Sequence, residues 1–265
     1  MRFVFIGGGN MGRALAGALI KKGVCGGSDI LVVDPDAQAR ERNAEMGVQT
    51  REDIGPDVSG ARVVVLAVKP QSATEMFGQL RPHIQDGQVV ISIMAGVTMS
   101  TLRKGLGREA LVRVMPNTPA QVGLGMNVYL AAKAVLPDQL REVEALLNSC
   151  GESLAVSTED AIDAATAISG SGPAYVFFMA EHWMNAAGRM GFSAQDAERL
   201  IQQTLVGATE LWRQSGVHPA VLRSQVTSKG GTTAAALEVF GDKGIGEGFE
   251  EGLTRAYHRA KELGQ

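Results

Sequence analysis

Residues 2–22, RFVFIGGGNMGRALAGALIKK, decide the fold. Residues 2–6 (RFVFI) form a short, nearly continuous apolar run, as a strand buried on both faces does, and residues 10–22 place apolar side chains at helical spacing. Between them Gly7, Gly9 and Gly12 spell GxGxxG, with Gly8, Asn10 and Met11 filling the loop. Alone the pattern is weak in a chain with 33 glycines. It becomes specific because it follows a strand and opens a helix, the setting of a dinucleotide fingerprint. Gly7 permits the tight turn, Gly9 the close approach of a pyrophosphate, and Gly12 the packing of helix on strand, while the helix N-terminal amides form an anion site. A purely structural strand-to-helix turn is the alternative.

The same alternation continues outward. Residues 30–34 (ILVVD), 62–68 (RVVVLAV), 89–95 (VVISIMA) and 111–115 (LVRVM) read as further strands, with helices at 37–46 and 73–80. Runs at 126–131 and 153–156 flank a helix at 137–149. This predicts βαβ units in a doubly wound parallel sheet, an α/β class. After about residue 157 strands give way to helical patterns at 172–190, 194–215, 232–240 and 245–263, with Ser193 and Asp196 at one helix start. The expected organisation is a dinucleotide-binding domain over 1–158 and an all-helical domain over 159–265. Residues 173–187 (PAYVFFMAEHWMNAA) are the most apolar later stretch, but Glu181 and His182 interrupt them short of the ~20 residues a membrane span needs, so a buried helix is expected, covered either by the domain's own core or by a partner.

Composition narrows the function class. The 265 residues are 45% hydrophobic and 20% charged, with net charge −3 and a pI near 5.9. This describes an ordinary globular chain with no basic surface for nucleic acid and no membrane segment. Two cysteines, Cys25 and Cys150, make neither a disulfide framework nor a metal site. The chain enters its first motif directly, so no signal peptide is expected and a cytoplasmic location follows. The histidines His83, His182, His218 and His258 show no ligand spacing, and no GxSxG elbow or Cys–base pair is present. Any hydride chemistry must therefore run without a metal or an evident acid–base dyad.

Asp34 lies twenty-two residues beyond Gly12, where an acidic side chain accepts hydrogen bonds from the adenosine ribose and repels a 2′-phosphate. Arg40 and Arg42 follow, either to accommodate a phosphate or as solvated helix residues. Ligands of open α/β sheets bind at the carboxyl ends of strands. Three such ends carry candidates: Ala67-Val68-Lys69-Pro70, Met94-Ala95-Gly96, and Asn117 with Thr118 between Pro116 and Pro119. Lys69 either faces the cofactor or is a solvated loop lysine. In the helical half, residues 167–175 (AISGSGPAY) are small enough for close backbone approach. Residues 224–234 (SQVTSKGGTTA) gather Ser228, Thr232 and Thr233 around Gly230 and Gly231 at a helix start, which suits a carboxylate but also an ordinary capped loop.

IGGGNMG, AVKPQ, RVMPNTPA, SGSGPAY and QVTSKGGTT occur in the order and approximate spacing of the pyrroline-5-carboxylate reductases, which the chain resembles over essentially its entire length. The resemblance implies reduction of the cyclic imine 1-pyrroline-5-carboxylate to L-proline with NADPH or NADH. It implies a cofactor held by Gly7–Gly12, by the loops at 67–70 and 94–96, and by Asn117. It further implies a helical domain that dimerises and builds larger rings such as decamers, with the active site shared between one subunit's cofactor and the partner's helices. Ser228 and the amides of Gly230, Gly231, Thr232 and Thr233 would hold the substrate carboxylate, and Thr233 matches the position whose hydroxyl approaches the imine nitrogen.

Two positions depart from the family pattern. Lys229 stands where proline is common, and Asp34 where many relatives that use NADPH have small or polar residues. A protonated imine is already electrophilic, so alignment and exclusion of water would carry most of the catalysis, and a hydroxyl suffices to orient the nitrogen. A β-hydroxyacid-dehydrogenase-like rival needs a lysine in the helix after Gly170 and Gly172. Aligned on Gly170 and Gly172, that group's GxxGxGxxxKxxxN pattern would have Gly, Lys and Asn where this chain has Ala167, Val176 and Ala180. A second rival, a non-catalytic dinucleotide sensor, has no use for the segment from Ser228 to Thr233.

Overall fold

The computed structural model describes residues 1–264. Two compact units make up the chain: Met1–Pro173 together with the C-terminal residues from Arg255, and Ala174–Thr254. The first is an α/β unit. Its strands are β1 (Phe3–Ile6), β2 (Ile30–Val33), β3 (Gln49–Arg51), β4 (Val63–Leu66), β5 (Val89–Ser92), β6 (Leu111–Met115), β7 (Gly125–Ala131) and β8 (Gly151–Ala155). They form one sheet in the order β3-β2-β1-β4-β5-β6-β7-β8. Every pair is parallel except β6 with β7. Helices α1 (Asn10–Lys21), α2 (Ala37–Ala44), α3 (Ala73–Leu80), α4 (Met99–Leu106), α5 (Pro137–Ser149) and α6 (Glu159–Ala165) belong to this unit.

The continuous apolar strands are explained by burial on both faces. Phe3 and Phe5 point to one face, where they pack with Leu15 and Leu19 of α1 and Leu146 and Leu147 of α5. Val4 and Ile6 point to the other, with Met76 and Phe77 of α3 and Leu102 and Leu106 of α4. A side-chain carbon on Gly105 of α4 would lie 2.3 Å from the Phe77 ring, so glycine there sets how closely α3 and α4 approach. On one side of β1 the chain winds to β2 and β3, and on the other it returns through β4. The carboxyl ends of β1 and β4 therefore mark the point where the winding reverses, and with it a crevice for a ligand.

The second unit is helical, comprising α7 (Gly172–Arg189) from Ala174, α8 (Ala194–Ser215), α9 (Pro219–Gln225), α10 (Thr232–Asp242) and the start of α11 (Ile245–Leu263). Ser193 caps α8 by accepting from Asp196 N–H at 3.1 Å, as its sequence position suggested. The expectation that the chain's own core buries the helix at 173–187 is corrected. Within the single chain Ala187 is the buried residue of α7, while Phe177 is 68% and Phe178 64% exposed. Leu211, Trp212 and Phe249 are exposed as well. Apolar density in a sequence does not by itself tell an interior from an exposed apolar patch, and here it forms the patch.

Candidate active site

The first turn of the α/β unit is built on contacts that glycine alone permits. Gly7 has φ +105°, and a side-chain carbon there would meet the Ala67 carbonyl oxygen at 2.5 Å; one on Gly12 would meet the Gly7 carbonyl oxygen at 2.3 Å. Gly7 N–H donates to the Val33 carbonyl (2.8 Å) and Ala67 N–H to that of Ile6 (2.7 Å), which ties the ends of β1, β2 and β4 together. Gly9 is different. A side-chain carbon there would meet nothing within 4 Å, so the loop opens to solvent at that residue. Gly9 also precedes α1 without a side-chain cap, and the first turn has no acidic residue. The first helical bond is Arg13 N–H to the Gly9 carbonyl, so the amides of Asn10, Met11 and Gly12 lie ahead of it without intrahelical acceptors. An open cradle at Gly9 beneath unpaired amides fits a dinucleotide pyrophosphate.

Asp34, the first residue after β2, sits against this loop. Its Oδ2 accepts from Gly8 N–H at 2.7 Å and its Oδ1 from Asp36 N–H at 2.9 Å. Asn43 of α2 holds the other side. Fully buried, it donates from Nδ2 to the Gly8 carbonyl (2.8 Å) and the Ala39 carbonyl (2.7 Å), while its Oδ1 is buried without a partner. The sequence reading missed Asn43, whose signal was a polar residue on the inward face of α2. Arg40, weighed as solvated or phosphate-binding, donates to the Asp34 and Pro35 carbonyls (2.8 Å each) and to Glu52 (3.0 Å).

The other strand ends fall beside this crevice. Ala67 and Val68 are half-buried just beyond β4, and Lys69 and Pro70 are exposed. Beyond β5, Met94 is buried, and Gly96 (φ +75°) faces the C-terminal end of α11: a side-chain carbon on it would lie 2.6 Å from the Leu263 carbonyl oxygen. Lys261 and Tyr257 of α11 bond Asp160, at 2.7 and 2.6 Å. Asn117 follows β6 and uses both ends of its amide. Oδ1 accepts from Met126 N–H (2.8 Å), and Nδ2 donates to the Ser169 carbonyl (3.0 Å). Ser169 lies in a π-helical stretch, Thr166–Gly170, that breaks the run from α6 to α7. Beneath it Arg113, 3% exposed, is paired with Glu159 and with Asp163 (3.0 Å). Sequence reading placed no weight on these three residues. A cavity of about 540 Å³ along the flank of α1, lined by Arg13, Lys21, Lys22 and Leu124, includes neither Asp34 nor Ala67 and is not this crevice.

In the helical unit, the segment from Ser228 to Thr233 has a similar design. Gly230 has φ +72°, Gly231 precedes α10 without a side-chain cap, and α10 has no acidic residue in its first turn. Gly231 N–H is used by the Ser228 carbonyl (3.0 Å), and the first helical bond is Ala235 N–H to the Gly231 carbonyl (3.2 Å). The amides of Thr232, Thr233 and Ala234 thus precede the ladder. Thr233 is half-buried, while Ser228, Lys229 and Thr232 are exposed. A side-chain carbon on Gly231 would lie 2.4 Å from Ser228 Oγ, so the hydroxyl is packed directly over the turn.

A doubly wound sheet with a glycine cradle at its winding reversal, and an acidic side chain fixed at the end of its second strand, defines a dinucleotide-binding oxidoreductase of Rossmann type. The pyrroline-5-carboxylate reductase dimerisation model matches residues 159–263, and the model of NADP oxidoreductases that are coenzyme F420-dependent matches residues 2–96. The pyrroline-5-carboxylate reductase of Pseudomonas aeruginosa is 38% identical over 266 residues, covering 100% of this chain and 97% of its own; that of a Synechocystis species is 38% identical over 264 residues, covering 98% and 97%. The chain belongs to the pyrroline-5-carboxylate reductase family. A solved structure of the enzyme from Coxiella burnetii is similar with TM-score 0.92 at 36% identity, covering 100% of this chain and 98% of its own. The Plasmodium falciparum structure with NADP bound has TM-score 0.89 at 28% identity, with the same coverage.

Proposed function

We propose that the protein reduces 1-pyrroline-5-carboxylate to L-proline, the last step of proline biosynthesis, using NADPH or NADH. The observation that carries this reading is the pair of helix N-termini, α1 and α10. Each is opened by glycine, free of acid in its first turn, and headed by amides that no helical carbonyl accepts. The first suits a pyrophosphate and the second a carboxylate, and the family's substrate is a ring with one carboxylate.

The bound dinucleotide supplies the hydride. The chain supplies orientation. Gly7, Gly8, Gly9, Asn10, Met11 and Gly12 hold the pyrophosphate, Asp34 the adenosine ribose, and Ala67, Val68, Lys69, Pro70, Met94, Ala95, Gly96 and Asn117 line the remainder of the cofactor site. Ser228, Gly230, Gly231, Thr232 and Thr233 grip the carboxylate, and the Thr233 hydroxyl orients the imine nitrogen as donor or acceptor. Since a protonated imine needs no further activation, aligning its carbon and excluding water account for the absence of an acid–base dyad. The functional division lies at 158/159, supported by the start of the dimerisation match at residue 159.

The working form is a homodimer that builds a larger ring such as a decamer, supported by the exposed apolar residues of α7, α8 and α11. A cytoplasmic location is in keeping with two unpaired cysteines. No helix among the described residues is long and apolar enough to cross a membrane. The test is a Ser228→Ala/Thr233→Ala double variant assayed for imine-dependent NAD(P)H oxidation. KM for the imine should rise at least tenfold with dinucleotide binding unchanged; unaltered KM and turnover would remove the segment from the site.

A further inference from the structure

We infer that the dinucleotide site selects NADH over NADPH, and that Asp34 is the residue that discriminates. This rests on the reading that the crevice takes a nicotinamide dinucleotide. Asp34 is not a free surface carboxylate: one oxygen is held by Gly8 N–H at 2.7 Å and the other by Asp36 N–H at 2.9 Å. The side chain therefore cannot swing aside for a ligand without releasing the glycine loop. Each oxygen keeps a second acceptor site, a match for two ribose hydroxyls, which donate. A 2′-phosphate brings only acceptors and nearly two further negative charges, and would face a fixed carboxylate.

Three of the four arginines around this end of the crevice are already engaged. Arg40 lies on the carbonyls of Asp34 and Pro35 at 2.8 Å each and on Glu52 at 3.0 Å. Arg13 bonds the Arg42 carbonyl (3.2 Å) and Glu45 (3.5 Å). Arg51 bonds the Thr50 carbonyl (3.0 Å) and Asp57 (3.2 Å). Arg42 is exposed in the last turn of α2. Of these four, only Arg42 has no carboxylate on its guanidinium among the described residues, and a phosphate that recruited it would still have to overcome Asp34. NADH asks for neither.

The test is equilibrium titration of the full chain with NADH and with NADPH by calorimetry, without imine, so that binding is read apart from turnover. NADH should bind at least tenfold more tightly, and ADP-ribose should outbind its 2′-phosphate by a similar factor, which locates the preference at the adenosine ribose. Asp34→Asn keeps an oxygen for Gly8 N–H while removing the charge, so it should tighten NADPH at least tenfold and shrink or invert the preference. Equal or tighter NADPH binding by the unmodified chain would overturn the inference, and an unchanged preference in Asp34→Asn would remove Asp34 from it. Failure to bind either dinucleotide would instead overturn the underlying reading of the crevice.

Discussion

The Asn117 amide donates to the Ser169 carbonyl at 3.0 Å and accepts from Met126 N–H at 2.8 Å, so one side chain fastens the π-helical stretch 166–170 to the carboxyl end of β6 and the start of β7. The residue that the family resemblance implies near the cofactor is thus a brace within the α/β unit. Asn117→Ala strands a carbonyl and an amide, and should cost roughly 1–3 kcal/mol in urea unfolding. Asn117→Asp keeps the acceptor for Met126 but loses the donor to Ser169. It should therefore be no better than alanine in supporting activity, as steady-state kinetics would reveal.

Gly9 and Gly12 separate binding from folding. Gly12→Ala drives a carbon toward the Gly7 carbonyl oxygen, only 2.3 Å away, and should lower Tm and dinucleotide affinity together. Gly9→Ala meets no protein atom within 4 Å. It should leave Tm within a degree or two while weakening dinucleotide binding at least tenfold, because the added methyl occupies the cradle. Calorimetric titration beside thermal unfolding checks both; full binding by Gly9→Ala would place the pyrophosphate elsewhere.

Arg113 neutralises Glu159 and Asp163 from a buried position. Arg113→Met removes the shared cation and should destabilise the chain by roughly 1–3 kcal/mol in denaturant unfolding, since two partly buried carboxylates are left uncompensated. Adding Glu159→Gln and Asp163→Asn should recover part of that loss. No recovery would mean that the arginine stem, rather than its charge, carries the contribution.

Tyr129 gives the folded state an alkaline limit. Burial, and then the hydrogen bond its hydroxyl donates to Glu144 at 2.6 Å, push its pKa up to about 12 from an ordinary 10. Its folded value lies above its unfolded one. The associated stability is therefore fully present below pH ~10 and is lost as pH rises from there through about 12. Tyr129→Phe should flatten that part of the stability profile, measured by denaturant midpoints between pH 8 and 12.

The exposed apolar surface of the helical unit leads to one more expectation. Phe177→Glu should reduce the mass measured by light scattering, because Phe177 is 68% exposed in the single chain and a charge there opposes its burial against another copy. An unchanged mass would place the subunit contact on other residues.

Much of the α/β unit was legible because its strands are covered on both faces, so that β1, β2, β4 and β5 read as unbroken apolar runs flanked by helical spacing. Strand β3 was not: Gln49, Thr50 and Arg51 form a polar, largely exposed edge that pairs through its backbone and leaves no side-chain pattern. Helix α4 buries Met99, Leu102 and Leu106 at i, i+3 and i+7, a helical spacing that the sequence reading passed over in so short a segment. In the candidate site, Gly7 and Gly12 were legible because close backbone approach demands glycine at those offsets, and Asp34 because the end of the second strand brings its side chain to the glycine loop. Asn43, Arg113 and the Asn117–Ser169 bond depend on groups 35, 46 and 52 residues distant, which no local pattern reports. Periodicity likewise marked α7 as apolar but could not say whether its cover is the chain itself or another copy.

The proposed reaction is hydride transfer from a nicotinamide to a cyclic imine. Its most direct test is the oxidation of NADH carrying two deuterons at C4, in the presence of 1-pyrroline-5-carboxylate, followed by NMR of the product. The expected result is L-proline bearing one deuteron on the δ-carbon, formerly the imine carbon, for each NADH consumed. Demonstrated dinucleotide binding with no oxidation, or proline without deuterium at that carbon, would contradict the account.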